Sequence, residues 1–89
     1  MFVVERRDHF LLIETKALDE PLTQGQRILL CAFSRLPRCT AVVLYGQKGW
    51  PEVIQRIENG ELLDIEQTSR EDFQRRIDAW YGKVNAARP

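Results

Sequence analysis

The run Thr40-Ala41-Val42-Val43-Leu44-Tyr45 constrains the fold more than any other stretch of the chain. It is apolar almost without interruption, so it reads as a buried central strand covered on both faces. A strand of that kind sits in a sheet with helices layered against it. The flanking sequence supplies those layers. Residues 1–6 read as a strand, Arg7-Asp8 as a turn, and residues 9–16 as a second strand antiparallel to the first. A loop with Pro21 follows. Thr23 is placed to cap a helix, in which Leu29, Ala32, Phe33 and Leu36 recur at helical spacing until Pro37 stops it.

Beyond the central strand, Gly46 to Gly49 reads as a loop. Pro51 suits the first turn of a short helix over 51–58, which Asn59-Gly60 would end. Residues 61–66 read as a short edge strand. Thr68-Ser69-Arg70-Glu71 has the form of a capping box, and Phe73, Ile77, Trp80, Tyr81 and Val84 make one stripe of a last helix over about 69–86. The expected order is β-β-α-β-α-(β)-α, an α/β domain on a small mixed β-sheet with flanking helices. With 89 residues the chain makes a single domain with one core, divided here into a core over 1–45 and a C-terminal helical extension over 46–89.

Thirteen basic residues balance thirteen acidic ones, so net charge gives no pull toward nucleic acid and any basic surface must be local. No apolar run approaches the roughly 18 residues of a membrane span, so no membrane partner is expected. The start, Met1-Phe2-Val3-Val4-Glu5-Arg6-Arg7, lacks the order of a signal peptide. Cys31 and Cys39 have no zinc-like spacing and read as reduced thiols of a cytoplasmic protein.

The chemistry concentrates at the end of the second strand, in Ile13-Glu14-Thr15-Lys16. Alternation puts Glu14 and Lys16 on one face and Leu11, Ile13 and Thr15 on the other. A carboxylate and an ammonium so placed form a salt bridge worth about 0–1 kcal/mol at an exposed site. Alternatively, the carboxylate holds a divalent ion while the lysine steadies a water or a phosphate oxygen.

Glu14-Thr15-Lys16, then Leu22-Thr23-Gln24-Gly25-Gln26 opening a helix, then the apolar strand Ala41-Val42-Val43-Leu44-Tyr45, resembles the core of PD-(D/E)XK nucleases. The closest likeness is to the VRR-NUC branch, and it covers about residues 1–45. The resemblance implies a restriction-endonuclease-like core that hydrolyses phosphodiesters of DNA with Mg²⁺ or Mn²⁺. Carried over residue by residue, it makes Glu14 a metal ligand, the Thr15 carbonyl a further ligand and Lys16 the catalytic lysine. Gln26 would face the site from the start of the helix; on residue type alone it is a solvated glutamine.

The family pattern also has an aspartate on the first strand, thirteen residues before the Glu, and that count lands on Met1. The pairing expected of the hairpin agrees. With Arg7-Asp8 as the turn, partner numbers sum to fifteen and position 1 faces Glu14. Glu5 has the right parity but lies ~13 Å along the strand. Asp19 and Glu20 read as a solvated loop that could fold back. The family's N-terminal helix is absent too. The chain thus reads as a nuclease core cut off at its catalytic aspartate: a decayed nuclease, the product of a downstream start, or a domain completed by a partner chain or homodimer.

In the second half, Lys48 and Trp50 sit in the loop after the central strand, where Lys48 would touch phosphate and Trp50 would stack on a base or staple the next element to the core. Arg70, Arg75, Arg76 and Lys83 give the last helix a basic side, diluted by Glu71, Asp72 and Asp78. Two functions follow as expectations. One is a nuclease-like DNA-acting protein, incomplete as an enzyme without the first-strand Asp. The other is a non-catalytic nucleic-acid- or protein-binding module that keeps the nuclease fold.

Overall fold

A computed structural model describes residues 1–47 and 49–86. The chain folds as five strands and two helices in the order β1 (Phe2–Arg6), β2 (His9–Lys16), α1 (Gln24–Ser34), β3 (Cys39–Gln47), β4 (Trp50–Glu58), β5 (Glu61–Gln67) and α2 (Arg70–Ala86). The strands form one mixed sheet in chain order, β1-β2-β3-β4-β5. Only the β2–β3 pair is parallel, and α1 is the crossover that makes it so.

Alternation along each strand divides the core in two. Leu11, Ile13, Val42, Leu44 and Ile54 face α2, where Phe73, Ile77 and Trp80 cover them. Leu12, Ala41, Val43 and Ile57 face the other way, against Leu30, Cys31 and Phe33 of α1. The apolar run is thus the sheet's middle strand, with Ala41, Val42, Val43 and Leu44 all buried. The expected α/β domain on a small mixed sheet with flanking helices is what forms.

The hairpin register is the expected one. Phe2 pairs with Ile13 and Arg6 with His9, every pair summing to fifteen. Arg7 and Asp8 take φ of 52° and 65°, the left-handed pair that a two-residue turn between twisted strands requires.

Residues 51–58, expected as a helix, are strand β4, which corrects the order to β-β-α-β-β-β-α. The reason lies in Asn59-Gly60, with φ of 50° and 83°. This dipeptide is a two-residue hairpin turn joining β4 to β5, not a helix end. Pro51 opens the strand at an irregular point, beside the register shift at Tyr45/Gly46. Residues 46–86 therefore add two strands to the same sheet and are no helical extension.

Both helices start at capping residues. Thr23 Oγ1 accepts from Gln26 N at 3.1 Å while Gln26 Oε1 accepts from Thr23 N at 3.0 Å. Helix α2 is capped one residue later than expected: Ser69 Oγ, not Thr68, accepts from Asp72 N at 3.0 Å, and the Thr68 hydroxyl instead donates to Asp72 Oδ2 at 2.7 Å. The inward stripe of α1 is shifted from the expected one. Leu30 and Ser34 are buried with Phe33 and Cys31 beside them, whereas Leu29, Ala32 and Leu36 are exposed. No helix among the described residues is long and apolar enough to cross a membrane.

Candidate functional site

The ends of β2 and β3 open into a cleft of about 720 Å³. Strand β2 delivers Thr15 and Lys16 to it, and β3 delivers Leu44, Tyr45, Gly46 and Gln47. Its aromatic walls are Phe2, Trp50 and Phe73. Gly46 lets the wall close. A Cβ there would collide with the Trp50 carbonyl oxygen and lie 3.0 Å from the Glu52 nitrogen.

Trp50 is 59% exposed, so it does not staple β4 to the core. The Arg70 guanidinium lies over its ring, 5.4 Å from the centroid. This pairing was not legible in the chain, because the two residues meet only when α2 returns to the β4 end of the sheet. The Thr68 amide, which donates to Glu52 O at 2.9 Å, fixes that return. Phe2 is likewise one more apolar residue of a strand in the sequence, with no local signal that marks it as a wall of the cleft.

Glu14 and Lys16 both lie on the α1 side of the sheet, as alternation requires, with backbones paired to Val43 and Tyr45. Both are buried, at 7% and 9% exposure. They are not an ion pair with each other. Lys16 Nζ is 3.3 Å from Glu20 Oε2, because the loop turns back at Ala17, where Glu20 N donates to Ala17 O at 3.0 Å. The Glu20 carboxylate is held below its ordinary pKa by the Ala17 amide first and by Lys16 next. Glu14 has no hydrogen-bond or ion-pair partner among the described residues.

Gln26 is engaged in the cap of α1. The Thr-x-x-Gln spacing of residues 23–26 is thus accounted for by a reciprocal helix cap. Tyr45 sits near Arg27. Burial pushes its hydroxyl above the ordinary value of 10.0, and the arginine opposes the shift. Lys48 lies outside the described residues.

The donor set for Mg²⁺ or Mn²⁺ is thin. A hard divalent ion takes six or more oxygens, commonly with one or two carboxylates. Glu14 and the Thr15 carbonyl are the only members of the expected set in place. Continuing the β1–β2 register by one residue puts Met1 opposite Glu14, and Glu20 is committed to Lys16. Among the described residues no group of three His, Cys, Asp or Glu side chains converges. The residues present do not fit the ion. Comparisons of the chain with protein-family models, with curated proteins and with solved structures found no match.

Proposed function

We propose that this chain is a nucleic-acid-binding module on a nuclease-like sheet, taking single-stranded DNA or RNA at the cleft beyond β2 and β3. The observation that carries the reading is the Trp50–Arg70 stack on the rim of a cleft that also receives Lys16. An exposed indole offers a face to a base, worth about 1–3 kcal/mol per stacked base, and Arg70 beside it offers charge to the backbone. With zero net charge the affinity rests on that local patch and falls with salt. Fluorescence titration with short oligonucleotides tests it. Binding at low salt, weakened about tenfold or more by Trp50→Ala, is the expected result. Absence of binding to single- and double-stranded DNA and RNA at low salt would remove the reading.

A second reading is metal-dependent phosphodiester hydrolysis by the nuclease mechanism, with the missing carboxylate supplied by another chain. What favours it is the burial of Glu14, a carboxylate with no partner among the described residues, two residues from Lys16 at a strand end. Mn²⁺-dependent cleavage of duplex, single-stranded and branched DNA, lost in both Glu14→Ala and Lys16→Ala, would establish it. Cleavage indifferent to both substitutions, or none, would leave the binding module.

A further inference from the structure

On the side of the sheet away from α2, helix α1 buries one face and presents a second apolar one. Ile28 is 61% exposed, Leu29 48% and Leu36 55%. At 3.6 residues per turn, Ile28, Leu29 and Ala32 share the outward side of α1, and Leu36 follows just beyond its last turn. Arg35 follows the helix beside Ile28 with its guanidinium laid against Gly60 of the β4–β5 turn, Arg27 lies on the flank toward Tyr45, and Arg38 comes after the helix. The charge pattern there is one-sided. From Pro21 to Pro51 the chain contains no Asp or Glu, whereas thirteen are spread over the rest. None of Arg27, Arg35 and Arg38 has an ion-pair partner among the described residues, in contrast to Arg56, Arg75 and Arg76.

We infer that this face docks a partner protein through an amphipathic helix whose apolar stripe is flanked by acidic residues. The centre of the patch is aliphatic, so its cover must be apolar; a phosphate backbone would leave Ile28 and Leu29 wet. The margin is cationic and unpaired, so its complement is anionic. A second copy would set one arginine-bearing flank against another, and like charges across an interface are costly. The patch is one short helix face, below the roughly 800 Å² per partner of a standard interface, so the complex is weak and reversible.

The test uses the full chain and a synthetic amphipathic helix with a leucine stripe flanked by glutamates, read by fluorescence anisotropy. Its control has lysines in place of the glutamates. The expected result is binding of the acidic peptide only, weakening with salt and falling about tenfold or more in Ile28→Asp. The pair Arg27→Glu with Arg38→Glu should shift preference to the lysine peptide. All substituted side chains are exposed, and an unchanged thermal melt confirms the fold in each variant. Equal binding of both peptides, or of neither, overturns the inference. So does an Ile28-dependent dimer in solution, or Ile28-dependent flotation with phosphatidylserine vesicles, because either would put a different cover on the face.

Discussion

The Lys16 ammonium lies 3.3 Å from the Glu20 carboxylate, on the loop that follows β2, and has no ion pair to Glu14 two residues before it. The lysine expected to serve a metal-bound phosphate is therefore neutralised by an acid of its own loop. Glu20→Gln should release it. Because Lys16 is buried, loss of its partner should lower stability, while oligonucleotide affinity at low salt should rise a few-fold and become more salt-dependent. An unchanged affinity in the fluorescence titration would mean that Lys16 does not reach the nucleic acid.

The cap of α1 separates structure from chemistry at Gln26. Gln26→Ala and Thr23→Ala should each lower stability by about 0.5–2 kcal/mol in denaturant melts, while Gln26→Glu keeps the reciprocal bond. None of the three should alter oligonucleotide binding. A loss of binding in Gln26→Ala with stability intact would return the residue to the site.

At Gly46 there is no room for a Cβ against the Trp50 carbonyl oxygen. Gly46→Ala should cost roughly 1–3 kcal/mol, as overpacking does, and should displace Trp50 from Arg70. The change is readable as a shift in tryptophan emission against a Trp80→Phe background.

Three carboxylates are held below their ordinary pKa values. The Thr68 hydroxyl and then Arg76 hold Asp72 down, Arg56 holds Glu66, and the Ala17 amide followed by Lys16 holds Glu20. Each pKa is lower folded than unfolded, so each contribution is complete above the ordinary values of 3.8 for Asp and 4.5 for Glu. It is lost as pH falls through the depressed values. Thermal midpoints should hold from neutral pH down to the ordinary carboxylate range and fall below it, with a shallower fall in Asp72→Asn.

The β1–β2 register makes a further prediction at position 1. A chain with Met1→Asp behind a short leader would set two carboxylates ~4.5–5.5 Å apart between Cβ atoms. Calorimetry should show Mn²⁺ binding that disappears when Glu14→Ala is added. No binding would mean that the pairing does not extend one residue beyond Phe2.

The sequence revealed most where one local rule had no rival. The unbroken run at 41–44 required layers on both faces. The register sum of fifteen followed from a two-residue turn alone. It misled where two rules competed. Pro51 satisfied a helix start, and Asn59-Gly60 satisfied both a helix stop and a hairpin turn; cross-strand pairing with β3 and β5 decided between them. On α1, apolar residues occupy both sides, so helical spacing did not identify the inward stripe. At the site, Thr-x-x-Gln met a functional pattern and a capping rule at once, and the capping bonds are the ones formed. The Trp50–Arg70 contact depended on where α2 returns, which no window of sequence carries.

The agreement of strand order with chain order has a consequence for how the molecule assembles. The β1–β2 hairpin and the β3–β4–β5 meander each close through two-residue or similarly short turns, a small entropic step. Only the parallel seam between β2 and β3 needs a long closure, across the whole of α1. The cleft straddles that seam, since Thr15 and Lys16 arrive from one side of it and Tyr45 to Gln47 from the other. That pairing should be the last of the sheet to form, and pulse-labelled amide exchange should protect the meander before the seam. A chain caught at that stage would have both hairpins and no cleft.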